Sequence, residues 1–137
     1  MALSSSTSYH FDYYTIDLND EFSGLYGPLL YDQLEYVNSS LYRIFELYGE
    51  RKNIPKSIVI IGHSMGGVIA KNLLSQNLDP NLISVLITLA APLKRVPIFF
   101  DLHMHNFYKW DNPGHNKTTF VSLSGGYADF FDTSKFK

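Results

Sequence analysis

The stretch SIVIIGHSMGG, residues 57–67, decides the fold and the candidate chemistry of this chain. Its first part, 57–61, is an apolar run, the pattern of a strand covered on both faces in a parallel sheet, and we expect this strand to be central. Its second part, Gly62-His63-Ser64-Met65-Gly66, matches the pattern G-x-S-x-G. Between a strand and a helix, this pattern indicates a nucleophile elbow, a sharp turn that exposes a serine hydroxyl above the sheet.

Ser64 is therefore the candidate nucleophile, at the start of a helix predicted over 65–76. The backbone N–H of Met65 and the helix dipole can stabilise the oxyanion that forms when a serine attacks an acyl carbon. The flanking glycines and Gly67 are expected to let the strand and helix approach without Cβ clashes. The alternative interpretation is that Ser64 is an ordinary N-cap serine after a glycine turn.

Further elements are predicted on both sides of this stretch. Apolar residues recur in steps of three and four over 31–48, which predicts a helix, with Gly49 as its stop. Strands are predicted over 13–18, 83–89 and 118–124, the second of them also buried on both faces. Strands that alternate with helices predict an α/β fold with a mostly parallel sheet and helices on both faces.

Composition restricts the classes of function. The chain has 137 residues, of which 45% are hydrophobic and 18% charged, so one globular domain is expected. The absence of cysteine excludes disulfides, thiolate metal sites and cysteine nucleophiles. A net charge of -2 without a dense basic run makes a nucleic-acid partner unexpected. No apolar run reaches the about 20 residues that span a bilayer, and no cofactor is expected.

A serine nucleophile needs a histidine base that a carboxylate orients, and in the hydrolase fold the carboxylate and then the histidine follow the serine along the chain. Asp129 is the candidate carboxylate, because it lies just beyond the strand predicted over 118–124 and could project from the same sheet edge as Ser64. Asp132 is a poorer alternative, and Asp101 lies in an irregular or partly helical region. A solvated loop carboxylate is the other interpretation of Asp129.

The histidines do not follow this order, since all of them precede Asp129. They are His10, His63, His103, His105 and His115. His63 adjoins the nucleophile and is expected to pack and not to act as a base. The pair at 103 and 105 has no organised third ligand, so we predict loop histidines and no metal site.

Segments around the elbow resemble the GPI inositol-deacylase family of serine hydrolases. They are DLNDE with LYG at 17–27, PKS at 55–57, LITLAAP at 86–92 and SLSGGYAD at 122–129. The elbow alone is shared by many lipases, so the resemblance rests on these other segments, over roughly residues 11–131. It implies a flexible N-terminal segment at 1–10 and a partial α/β-hydrolase domain at 11–137.

The resemblance also implies an activity: hydrolysis of the acyl ester on the inositol of GPI, in a GPI lipid or GPI-anchored protein, at the endoplasmic reticulum membrane. Ser64 is then the nucleophile and Asp129 falls where the acid is expected. Strands at the N-terminal side and the C-terminal end, the histidine and the membrane-associating segments are expected outside this chain, which alone is expected to be incomplete. Two alternatives remain: another lipase or carboxylesterase, and a non-catalytic interaction protein on a degraded hydrolase fold.

Overall fold

The computed structural model describes residues 10–19, 26–49, 54–76, 79, 81–93, 102–109 and 117–124. Its elements in chain order are α1 (Gly27–Glu46), β1 (Ile58–His63), α2 (Met65–Leu73), β2 (Ile83–Leu89), α3 (Leu102–Tyr108) and β3 (Thr119–Leu123). The strands form one parallel sheet in the order β1-β2-β3. The predicted class, a partial α/β fold with a parallel sheet, is confirmed.

Helix α1 begins before the range that its apolar periodicity predicts. Pro28 lies in its first turn, where the missing N–H is not needed and the fixed φ suits a helix. The buried face extends from Gly27 to Leu41. The helix ends at Glu46, and the N–H of Gly49 donates to the Glu46 carbonyl oxygen over 3.1 Å to close the next turn. Within the described ranges, no helix combines the length and the apolarity that a bilayer crossing needs.

The three helices share one hydrophobic core with one face of the sheet. Ile60 of β1 and Leu86 of β2 lie on this face. Helix α2 contributes Ile69 and Leu73, and α3 contributes Met104. Because α2 follows β1 directly and packs on both β1 and β2, this core determines how closely the start of α2 approaches the sheet.

The opposite face of the sheet is apolar but exposed in the described part of the chain. The exposed fractions are 50% for Val59, 64% for Ile61 and 55% for Leu123. Among the described strands β1 is at an edge and β2 is central. The predictions that the elbow strand is central and covered on two faces are therefore wrong for the described residues, whereas β2 is central and has no exposed residue. Helices were predicted on both faces of the sheet, and the described helices cover one of the two faces.

Residues 10–19 run without regular structure to a turn at Asn19, so the strand predicted over 13–18 is wrong. Aromatic and β-branched residues favour strands mainly because they fit a pleated, half-buried surface beside neighbouring strands. Here Ile16 and Leu18 instead pack at the margin of the helical core. Of the segment predicted to be flexible, residues 1–9 lie outside the described residues.

Side-chain hydrogen bonds attach this segment to the C-terminal end of α1. The buried Tyr48 hydroxyl donates to the Asp12 carboxylate, with 2.6 Å between Oη and Oδ2, and the Tyr14 and Tyr48 hydroxyl oxygens are 2.9 Å apart. The hydrogen bond to Asp12, more than that to Tyr14, raises the pKa of Tyr48 above its ordinary value. Tyr48 therefore stays a neutral donor at physiological pH.

A pair of leucine substitutions tests the one-sided core. Leu86→Ala should lower the free energy of unfolding by about 2–5 kcal/mol, because it empties a fully buried site. Leu123→Ala removes the same atoms from the exposed face and should cost less than about 1 kcal/mol. Urea denaturation of both variants measures the difference. Equal losses would mean that the second face is packed as tightly as the first.

Candidate nucleophile site

Ser64 forms the turn between β1 and α2 with a backbone conformation that is rare for a residue with a side chain. Its φ is 51° and its ψ is −125°. Such conformations persist only where the surrounding structure holds them. The Ser64 N–H donates to the Leu89 carbonyl oxygen over 2.9 Å, and the Gly67 N–H donates to the Ser64 carbonyl oxygen over 3.0 Å. Both peptide groups of the strained residue are therefore held by hydrogen bonds.

The backbone of Ser64 excludes the ordinary N-cap interpretation. An N-cap serine has an extended backbone and accepts a hydrogen bond through Oγ from an amide in the first helical turn. Ser64 has a positive φ, and its side chain makes no capping hydrogen bond to α2. The half-buried hydroxyl is thus not committed to the helix, as a nucleophile requires.

The turn depends on the absence of a side chain at Gly62 and Gly67, whereas the two glycines of the motif are Gly62 and Gly66. A Cβ on Gly62 would lie 2.7 Å from the Gly66 carbonyl oxygen, and a Cβ on Gly67 would lie 2.6 Å from the Cβ of Ala91. A Cβ on Gly66 would meet nothing within 4 Å. The expected steric role is confirmed for Gly62 and Gly67 and is wrong for Gly66.

Gly67→Ala and Gly66→Ala make a matched test of this close approach. We expect Gly67→Ala to lower the free energy of unfolding by about 1–3 kcal/mol, because the new methyl group overpacks the contact with Ala91. Gly66→Ala should be neutral or stabilising by up to about 1 kcal/mol, since alanine is the better helix former. Denaturation of the two variants by urea measures both effects. Similar losses in the two variants would contradict this assignment.

Met65 is the first residue of α2, and its N–H is one of the amides that a helix leaves without an internal partner. This amide lies at the positive end of the helix dipole, directly after the serine. The predicted pair, Ser64 and Met65, thus places a hydroxyl that does not cap the helix beside a donor suited to a developing negative charge.

The carboxyl ends of all three strands meet beside this turn. Strand register pairs His63 with Leu89 and Leu89 with Leu123. Ala90 follows with φ 47°, a second strained residue, and its N–H donates to the Leu123 carbonyl oxygen over 2.8 Å. This is the edge of an open α/β sheet where ligands bind.

Tyr108, at the end of α3, is a neighbour of the turn that the sequence did not single out. Its hydroxyl lies 3.6 Å from the Met65 sulfur, and its ring packs against the helical core. Burial raises the pKa of Tyr108 well above its ordinary value, so the phenol is a neutral hydrogen-bond donor at physiological pH. The signal in the sequence was the helical spacing of Met104, Phe107 and Tyr108 within a region expected to be irregular or partly helical.

The described histidines are dispersed. His63 is exposed, so the expectation that it packs is wrong. His103 and His105 lie on α3 and not in a loop, the former with its ring centroid 6.5 Å from that of Tyr31. His10 Nε2 is 3.0 Å from an Asp12 carboxylate oxygen.

Other predicted residues lie outside the described residues. They are Asp101, His115, Asp129 and Asp132. Within the described ranges, Ser64 has no hydrogen bond to a histidine, and no three His, Asp or Glu side chains cluster closely enough to hold a metal ion.

A parallel sheet whose strand-to-helix turn holds a strained serine defines the class of α/β proteins with a nucleophile elbow. The sequence profile described as the PGAP1-like alpha/beta domain matches residues 1–137. The chain is 35% identical over 130 residues to a GPI inositol-deacylase of Mus musculus and 36% identical over 142 residues to one of Debaryomyces hansenii. The chain belongs to the PGAP1-like family, and the predicted resemblance is confirmed.

These matches cover most of the chain but little of the relatives. The match to the mouse protein spans 89% of the chain and 14% of that protein. The match to the Debaryomyces protein spans 88% of the chain and 14% of that protein. A GPI inositol-deacylase of Schizosaccharomyces pombe is 33% identical over 143 residues, which are 86% of the chain and 12% of that protein. The chain thus spans a small part of the length of these relatives.

Proposed function

We propose that this chain forms the nucleophile-bearing part of a serine ester hydrolase that removes the acyl chain from the inositol of GPI. The observation that carries the proposal is the conformation of Ser64: a strained turn, a hydroxyl that does not cap α2 and an adjacent helix N-terminus. The relatives are GPI inositol-deacylases, which supports this substrate among the many esters that enzymes with a nucleophile elbow hydrolyse. The substrate would be a GPI lipid or a GPI-anchored protein, at the endoplasmic reticulum membrane.

The proposed reaction uses the groups at this turn in order. Ser64 Oγ attacks the acyl carbonyl carbon while a histidine base takes the hydroxyl proton. The carbonyl oxygen becomes an oxyanion, which the Met65 N–H stabilises by a hydrogen bond. Collapse breaks the ester bond and returns the proton to the inositol oxygen. Water then hydrolyses the acyl-serine to release the fatty acid and restore Ser64.

We propose Asp129 as the carboxylate that orients the histidine. The carbonyl oxygen of Leu89 accepts from the Ser64 N–H, and Leu89 pairs with Leu123 at the end of β3. The chain therefore leaves β3 at the same sheet edge as the nucleophile, shortly before Asp129. This order supports Asp129 over Asp132, which is further along the chain.

Ser64→Ala in the complete gene product should abolish release of fatty acid from inositol-acylated GPI. Loss of a triad serine removes a rate factor on the order of a million where it has been dissected. Ser57→Ala, which changes an exposed serine just before β1, is the matched control and should retain full activity. Fatty-acid release by both variants is measured at equal protein concentration, with unchanged urea midpoints as the folding control. Substantial turnover by Ser64→Ala would remove this residue from the mechanism.

Asp129→Asn should reduce kcat by on the order of 10⁴-fold, because an amide in place of the carboxylate favours the wrong histidine tautomer. Asp132→Asn is the control and should stay close to the parent rate. The same fatty-acid assay compares the two variants. If Asp132→Asn were the slower enzyme, the acid would have to be reassigned to Asp132.

A further inference from the structure

Helix α3 is fixed in place by contacts that have no part in the proposed chemistry. Met104 is fully buried in the core, and the Phe107 ring meets the Tyr31 ring edge-on with 5.1 Å between centroids. Together they hold α3 against α1. The direction of the next side chain, Tyr108, is therefore set by the core.

That direction brings the Tyr108 hydroxyl to the side chain of Met65. Oη and the thioether sulfur are 3.6 Å apart. A thioether is a weak acceptor, yet the Met65 sulfur is the hydrogen-bond partner of the Tyr108 hydroxyl within the described residues. The half-buried ring of Tyr108 and the half-buried Met65 side chain both pack at the margin of the same core. The contact thus joins the end of α3 to the first residue of α2.

The contact with Tyr108 adds to the core packing that orients Met65 at the start of α2. The hydrogen bonds of the strained turn hold the Ser64 N–H and the Ser64 carbonyl oxygen. The Met65 N–H has no carbonyl partner within the helix. If Ser64 relaxed toward a negative φ, the Met65 side chain would have to leave its contact with Tyr108. An anchor on this side chain therefore opposes relaxation of the turn.

We propose that Tyr108 is a positioning residue for the oxyanion donor: through Met65 it keeps the Met65 N–H and the Ser64 hydroxyl in their reactive arrangement. This inference rests on the proposed function, because the arrangement serves catalysis only if Ser64 is the nucleophile. Tyr108 acts through Met65, so it influences the chemical step and not the binding of the acyl substrate.

Tyr108→Phe tests the inference because it removes the hydroxyl and keeps the ring. In the complete gene product, the maximal rate at which a fluorophosphonate labels the protein should fall about twofold, the low end of what one neutral hydrogen bond contributes, because a thioether is a weak acceptor. The half-saturating probe concentration should not change. Met65→Leu removes the sulfur at similar volume and should give the same loss, and the double variant should lose no more than either single variant.

Hydrogen exchange supplies a readout that does not depend on catalysis. The Ser64 and Gly67 amides, which hold the turn, should exchange about twofold faster in Tyr108→Phe than in the parent. Tyr14→Phe is the matched control, because it removes a hydroxyl that bonds Tyr48 near the other end of α1. It should change neither the exchange of these amides nor the labelling rate.

The outcomes separate the inference from the proposed function. An unlabelled parent protein would refute the nucleophile, while exchange at Ser64 and Gly67 would still decide whether Tyr108 holds the turn. With a labelled parent, an unchanged labelling rate or unchanged exchange in Tyr108→Phe overturns the inference. Losses that multiply in the double variant overturn it as well, because the two side chains would then act independently.

Discussion

The close approach of α2 to the end of β2 is the constraint on which the site depends. Gly67 lies so near to Ala91 that a single added Cβ would come within 2.6 Å of the Ala91 Cβ. At this distance the helix can begin one residue after β1, which leaves only Ser64 to turn the chain. Ser64 makes this turn with φ 51° and ψ −125°. The strain at the serine therefore results from helix and sheet packing and is not a separate feature.

The core that holds α2 also compensates this strain. A residue with a side chain held in a sparsely populated backbone conformation costs on the order of 1–3 kcal/mol. Burial of a large aliphatic side chain contributes about 1.5–3 kcal/mol, and α2 fully or almost fully buries Ile69 and Leu73. Packing of the helix thus exceeds the cost at Ser64. Because this core is on one face of the sheet, the strained turn depends on the same contacts that stabilise the described fold.

The sequence predicted well those features that local patterns encode. The strand over Ile83–Leu89 has the predicted bounds, and the elbow between β1 and α2 follows from the glycine pattern between an apolar run and a helical one. The burial of the sheet faces was not predictable. Residues such as Val59 and Ile61 show that a strand face is apolar, but they do not show which element covers that face. The strand expected over 13–18 failed for a related reason: strand propensity needs a partner strand.

The site was predicted in part. Ser64 and Met65 are adjacent in the chain, so the motif alone brings them together. The packing role of Gly67 was predicted, but its partner Ala91, after β2, was not. Tyr108 required the tertiary structure, since its contact with Met65 joins α3 to α2. No periodicity within one segment carries such information. The motif also gave Gly66 a steric role that the open space around it does not support.

The central claim is that the strained turn makes Ser64 a nucleophile. Its most direct test is to locate the adduct after the complete gene product reacts with a fluorophosphonate, by mass spectrometry of its peptides. The account predicts one adduct per chain, on Ser64, with Ser57, Ser75 and Ser84 unmodified in the same digest. Failure of the folded protein to form the adduct, or modification of these other serines to the same extent as Ser64, would contradict it.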